Sequence, residues 1–165
     1  MNTLVPSCED VVRLLSSNWI IKGELQHTAF MLNPGETYLS VNRPAIESFC
    51  KDVAAFLSKH SDYCVGGKGK TYQCAVLNVG DINSISVCQD GTSMDISVEV
   101  EPRSTHTKSH AGIFTRFRNQ NIKSGQTLKY GPMSEDVSAD SILLNVRFQL
   151  LALSTVEQRE INDEG

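Results

Sequence analysis

An α+β fold, with a mixed or mainly antiparallel sheet of about six short strands and three helices (N-terminal, central and C-terminal), follows from three features of the sequence. Helix-like apolar spacing occurs near both ends and once in the middle, and strand-like alternation fills the stretches between. Nowhere do strands and helices alternate in the regular βαβ order that builds a parallel doubly wound sheet. A chain of 165 residues can bury one substantial core, and the expectation is a single domain over residues 1–154 followed by a charged, frayed tail over 155–165. It shows no internal repeat and no low-complexity segment.

Ser7 can cap a first helix, with Glu9 and Asp10 near its positive end and Val11, Val12, Leu14 and Leu15 supplying an apolar face that runs out near Trp19. Residues 19–21 and 28–32 read as short strands around the polar Lys22, Gly23 and Glu24. Asn33, Pro34 and Gly35 carry turn chemistry, and 38–41 reads as another strand. Pro44 suits the first position of a helix; Ile46, Phe49, Val53, Phe56 and Leu57 then recur three and four apart, predicting an amphipathic helix over 44–59. Glu47 and Lys51 can pair on its wet side.

The glycine and lysine run at 66–70 is a flexible connector into a strand over 71–79; Gly80 and Asp81 make a turn, and 85–88 is a further strand. Asp90 and Gly91 have the chemistry of a tight turn. Beyond them Met94, Ile96, Val98 and Val100 alternate with Asp95, Ser97, Glu99 and Glu101, the clearest strand in the chain, which Pro102 ends. Residues 102–118 read as a polar loop with an apolar run at Ile113 and Phe114, and 119–132 as mostly loop. Ser134 caps a last helix, with Glu135 and Asp136 in its first turn and Ala139, Ile142, Leu143, Val146, Leu150 and Leu153 on one face. Leu144, Phe148 and Leu151 widen that face, so the helix is expected to pack between other elements.

A net charge of −4 argues against a general affinity for nucleic acid or anionic membrane, leaving room only for a local basic patch. The N-terminal residues have no basic leader with an apolar core behind it, and no apolar run approaches the roughly 20 residues of a membrane span. A soluble, cytoplasmic protein with no membrane partner is the expectation. Cys8, Cys50, Cys64, Cys74 and Cys88 are odd in number and form no C-x-x-C pair, which points to reduced, partly buried thiols.

Chemistry concentrates between Pro102 and Arg118. Gly67 to Thr71, by contrast, fails as a phosphate loop: Cys64 stands where the first glycine belongs, and a strand follows where a helix should open. His106 and His110 are four apart, a metal-binding spacing on a helix, but Pro102 and the run of Ser and Thr argue against a helix there. Asp95, Glu99 and Glu101 are the acidic groups nearest to complete such a site; no metal and no cofactor is expected. Ser104, Thr105, Thr107 and Ser109 are hydroxyls beside imidazoles, without a strained G-x-S-x-G elbow. Arg103, Lys108, Arg116 and Arg118, with Phe114 and Phe117, offer cations and rings for an anionic group or a base.

The segment ETYLSVNR at 36–43, the SHAGI run at 109–113 and the turn at 79–82 resemble those of small uncharacterised bacterial proteins. That resemblance implies a bacterial or phage-borne cytosolic protein and assigns no catalytic role. In arrangement, though not in motif spacing, the chain is similar to RES-domain toxins and other ADP-ribosyltransferase-like folds; the likeness implies parts for His27, Ser40 and Glu99 or Glu101 around NAD. Two function classes stand side by side. One is a binding or accessory module that contacts a partner protein or nucleic acid through 102–118. The other is a small enzyme, ADP-ribosyltransferase-like or nuclease-like, acting on a nucleotide or nucleic acid, with His27, Ser40, Glu99, His106, Ser109 and His110 as candidate catalytic groups.

Thiol titration of the denatured, unreduced protein is expected to recover close to all five cysteines as free thiols; recovery of three or fewer from fresh protein would contradict the reduced state.

Overall fold

The computed structural model describes residues 4–65, 71–89, 91–103, 107–130 and 135–161. In the first half the chain forms β1 (Asp10–Leu14), β2 (Ile20–Ile21), β3 (Glu24–Leu25), β4 (Tyr38–Asn42), α1 (Phe49–Lys59), β5 (Thr71–Asn78) and α2 (Val79–Asn83). The second half adds β6 (Cys88–Gln89), β7 (Thr92–Ser93), β8 (Ile96–Pro102), β9 (His110–Phe117), β10 (Gln120–Asn121), β11 (Thr127–Tyr130) and β12 (Glu135–Ser138), then α3 (Ala139–Leu153) and β13 (Thr155–Glu160). The α+β class is as expected, and every strand pairing among the described residues is antiparallel.

The main sheet runs β8-β9-β4-β1-β5-β13. Strand β10 pairs Arg116 and Phe117 of β9, which β8 also pairs, so β10 must lie on the β4 side of β9, beyond the end of β4. Arg118 and Asn119 join β9 to β10 at φ +51° and +65°, the double positive φ that a two-residue type I′ turn requires. Period-2 alternation then sorts the side chains onto two faces. Val11, Leu39, Val41, Ala75, Leu77, Val98, Val100, Ala111 and Ile113 face α2 and α3, where Ile82, Ile142, Val146 and Leu150 complete the larger core. Val12, Leu14, Tyr72 and Cys74 face α1 and close the smaller core with Phe49, Val53 and Leu57.

Several elements differ from the expectations, each for a physical reason. The N-terminal helix is absent: β1 lies mid-sheet with Val11 buried on one face and Val12 on the other, and an apolar run covered on both sides cannot be told from a helix by its spacing. The central helix starts at Phe49 rather than at Pro44, because the chain before it closes two tighter turns, the Ile46 amide donating to the Arg43 carbonyl at 3.1 Å and the Phe49 amide to the Ile46 carbonyl at 3.0 Å. Gly80 and Asp81 lie within the short α2, capped by the Asn78 side chain, which accepts from the Asp81 amide. Ser134 lies outside the described residues; Ser138 caps α3 instead, while Glu135 and Asp136 belong to the β11–β12 hairpin in the stretch expected as loop and helix start. Helix α3 is not enclosed, for Leu144 and Phe148 are 39% and 48% exposed. Asp90 lies outside the described residues, but its neighbour Gly91 adopts φ +77° between β6 and β7, as a tight turn needs.

The expected frayed tail is the edge strand β13, paired with β5 from Thr155↔Val76 to Glu160↔Thr71. An edge strand draws on backbone ladder bonds rather than on apolar side chains, and its charges deter pairing with other chains. Residues 162–165 lie outside the described part. All five cysteines are unpaired in the structure, and burial pushes the Cys74 thiol up to about 11. No helix among the described residues is long and apolar enough to cross a membrane.

Deleting residues 155–165 is therefore expected to destabilise the protein. At about 0.5 kcal/mol net for each ladder bond the loss is about 2–4 kcal/mol. That corresponds to a fall of roughly 5–15 °C in the thermal midpoint by circular dichroism, and an unchanged midpoint would place β13 outside the cooperative fold.

Candidate functional site

Helix α1 covers only the β1 and β5 part of its face of the sheet, because its apolar residues Phe49, Val53 and Leu57 meet Val12, Leu14, Tyr72 and Cys74. On the other half, alternation turns Tyr38, Ser40 and Asn42 of β4, His110, Phe114 and Arg116 of β9, and Ser97, Glu99 and Glu101 of β8 toward the same side. Between the covered and uncovered halves opens a cleft of about 470 Å³, lined among others by Arg13, Trp19, Tyr38, Asp52, Tyr63 and His110.

The cleft exists because β1 and β4 share one ladder pair, Val12↔Asn42, and then part. Arg13 bridges the gap: its Nε donates to the Ala29 carbonyl at 2.6 Å and its Nη1 to the Ser40 carbonyl at 2.8 Å. The guanidinium lies 5.0 Å from the centre of the Trp19 ring. Desolvation pulls the Arg13 pKa down to about 10 against the opposing pull of Tyr63 and Glu36, and the group stays cationic at neutral pH. Trp19 meets Tyr63 edge-on at 5.7 Å, and Tyr63 meets Phe56 edge-on at 5.0 Å, so one wall is a chain of rings. Asn33, Pro34, Gly35 and Glu36 turn as expected, with Gly35 at φ +83°; the Glu36 carboxylate accepts from the Asn33 amide at 2.7 Å and reaches the rim of the cleft.

At the opposite wall the Asp52 carboxylate of α1 holds the segment entering β9. Its Oδ2 accepts from the Ser109 hydroxyl at 2.7 Å, the Ser109 amide at 3.1 Å and the Ser48 hydroxyl at 2.9 Å. The Ser109 oxygen in turn accepts from Asn42 Nδ2 at 3.1 Å, and the Ser109 carbonyl accepts from the Arg43 amide at 2.8 Å. Arg43 itself forms a two-pronged pair with Glu9, at 3.0 and 2.7 Å. Burial raises the Asp52 pKa, but the bonds from Ser109 and Ser48 and the charge of Lys51 outweigh it, leaving the carboxyl below its ordinary value.

Ser109, expected as a candidate nucleophile, is fully buried and bonded to a carboxylate with no imidazole between, so it cannot play that part. His110 Nδ1 lies 3.0 Å from the Arg103 carbonyl, which can only accept, so Nδ1 carries the proton. His27 is on the other side of the sheet, its ring 4.4 Å from that of Phe148 of α3 and tilted 31° to it, with its Nδ1 buried and unpartnered among the described residues. It therefore does not join Ser40, Glu99 or Glu101. Ser40 and Glu36 do share the cleft with His110, while Ser104, Thr105 and His106 lie outside the described residues. No group of three or more acidic, His or Cys residues among those described could hold a metal.

Residues 102–118, expected as one loop, are mostly strand, because the run from His110 to Phe117 is the inner strand β9. The binding residues named from the sequence consequently separate. Phe117 is in the larger core, Lys108 is exposed, and Arg118 stacks 4.9 Å from the Phe117 ring at the β9–β10 turn. Arg116 reaches both Glu99 and Glu101 and lies 4.9 Å from the centre of the Phe114 ring. Arg103 covers Tyr38 at 5.0 Å and Phe114 at 5.9 Å, its buried Nε without a hydrogen-bond partner among the described residues. Tyr38 also lies across Gly112, where a Cβ would stand 2.6 Å from the ring; only glycine fits beneath it. Sequence reasoning missed Arg13, Trp19, Asn42, Asp52 and Tyr63. The one local sign was Arg13, a lone charge inside the apolar run VVRLL.

The chain matches no protein-family model, no curated protein and no solved structure.

Asp52 binds a proton more weakly in the folded chain than when unfolded. Its contribution to stability is thus present above the ordinary value of 3.8 and is lost as pH falls below it. Urea unfolding of Asp52→Asn at several pH values should show a shallower loss of stability on acidification than the parent. Ser109→Ala should cost about 1–3 kcal/mol at neutral pH.

Proposed function

We propose that the protein is a non-catalytic binding module that takes an uncharged aromatic side chain of a partner protein into the cleft between β1, β4 and α1. The supporting observation is that the charged groups of the cleft are already committed. Arg13 donates to two backbone carbonyls, and Asp52 accepts three hydrogen bonds. What they leave is a wall of Trp19, Tyr38 and Tyr63 with the small polar side chains of Ser40 and Asn42, the mixture of rings and few hydrogen-bonding groups that anchors a buried side chain. Of the segment 102–118, His110 and Thr107 contribute to this surface.

Nucleic acid suits the uncovered half-sheet less well. Arg116 is neutralised by Glu99 and Glu101, and Phe114 is buried beneath arginines rather than offered for stacking. The enzyme reading retains one supporting observation: the exposed Ser40 shares the cleft with His110. The cellular setting that goes with the proposal is the bacterial or phage-borne cytosol implied by the resemblance.

Selection from a random peptide library tests the proposal, with Trp19, the chain's single tryptophan, as an internal reporter on the cleft wall. Aromatic-anchored peptides should be enriched and shift its emission. Tyr38→Ala should weaken them by about tenfold or more. Turnover of a nucleotide that disappears in His110→Ala or Ser40→Ala, with folding retained, would overturn the proposal in favour of the enzyme.

A further inference from the structure

A second cavity lies on the other side of the sheet, under α3, with a volume of about 430 Å³, inside the range of small-molecule sites. Its deeper walls are apolar: Phe30, Leu39, Ile113, Leu143, Val146 and Leu150. At its rim Met31 and Leu144 are 44% and 39% exposed and stand beside the exposed Asp140 and Ser141, so the mouth of the cavity is part apolar and part polar. Five titratable or hydroxyl groups line it, Thr115, Ser124, Asp140, Ser141 and Arg147, and the Ser141 hydroxyl is spent on the Ser138 carbonyl at 2.8 Å. Asp140 is taken, its Oδ1 accepting from the Ser124 hydroxyl at 3.2 Å and the Gly125 amide at 2.9 Å. Thr115 is a buried hydroxyl on β9. Arg147 lines the cavity with its Nε buried and without a hydrogen-bond partner among the described residues.

Arg147 is unlike the other arginines described here. Arg43, Arg116 and Arg159 meet carboxylates, Arg13 meets two carbonyls, and Arg103 and Arg118 lie over aromatic rings; none of these arrangements is present at Arg147. A buried donor left unsatisfied is costly, and a planar guanidinium facing an apolar cavity is matched by a carboxylate carrying an apolar body. Asp140 is seven residues, or about 10 Å of helix axis, from Arg147, so its charge lies toward the opposite end of the cavity.

We propose that this cavity is a binding site for a single-chain carboxylate amphiphile, with the carboxylate on Arg147 and the chain laid between Phe30 and the Leu143, Val146 and Leu150 side of α3. Met31 and Leu39 line both this cavity and the cleft that takes the partner's side chain, but Arg147 and the α3 residues line only this one of the two, and the proposal stands whether or not the other holds.

Isothermal titration of the full chain with hexanoate, octanoate and decanoate, below their micellar concentrations, tests the site. Binding at one per chain is expected, tightening about threefold to fourfold for each added methylene. Octanoate should bind at least about tenfold tighter than octanol or octylammonium, the step expected for a charge-assisted bond. Arg147→Gln, with folding checked by circular dichroism, should erase the preference of octanoate over octanol, and Arg147→Lys should restore part of it. Absence of saturable binding, an equal affinity for octanoate and octanol in the intact protein, or an Arg147→Gln variant that keeps the full preference would each overturn the proposal.

Discussion

One carboxylate decides where this molecule is open. Asp52 draws the Ser109 hydroxyl and amide, and the Ser48 hydroxyl, onto a single oxygen, so the start of β9 is tied to the flank of α1. With α1 held there, its apolar residues close over β1 and β5 and go no further across the sheet. The boundary of the covered half then becomes the wall of a cleft, and Arg13 supplies the floor by filling the gap where β1 and β4 separate. Charged and hydroxyl groups that would suggest chemistry in a list of residues are here the means by which three elements are held together.

The two faces of the sheet solve different problems. Under α3 the sheet presents β-branched and aliphatic residues to a helix with a buried stripe, Ala139, Ile142, Val146 and Leu150, and this side holds the larger of the two cores. On the α1 side, the half left uncovered keeps its rings out of water with arginines instead of a helix: Arg103 and Arg116 lie over Tyr38 and Phe114, and Glu99 and Glu101 balance Arg116. Guanidinium planes shield aromatic faces, and the edge of Arg116 is met by Glu99 and Glu101, so that half is covered without a second helix.

Elements whose pattern is complete within a dozen residues were legible in advance. The alternation from Ile96 to Val100, the helical spacing from Phe49 to Leu57, the Asn33–Gly35 turn and the apolar stripe of α3 each appear close to where local chemistry put them. Those that failed were decided by partners far away in the chain. Val11 and Val12 read as a helix face because nothing nearby reveals that α1 waits on one side and α2 and α3 on the other. The residues after Ser154 read as a frayed tail because their stability comes from the β5 backbone, which has no side-chain signature. Ser109 and His110 were legible as unusual but not as to role, since the Asp52 that occupies Ser109 is 57 residues away.

By itself, then, the sequence determined the α+β class, a strand ending at Pro102, two of the three helices and the density of polar groups between Pro102 and Arg118. Local periodicity and turn chemistry act over a few residues, and those features need no more. Only the tertiary structure decided that β9 is an inner strand, that His27 and His110 lie on opposite sides of the sheet, and that Arg13, Trp19, Asp52 and Tyr63 share one cleft. Strand order and register set those distances, and both arise from burial and hydrogen bonding summed over the whole chain rather than from any segment of it.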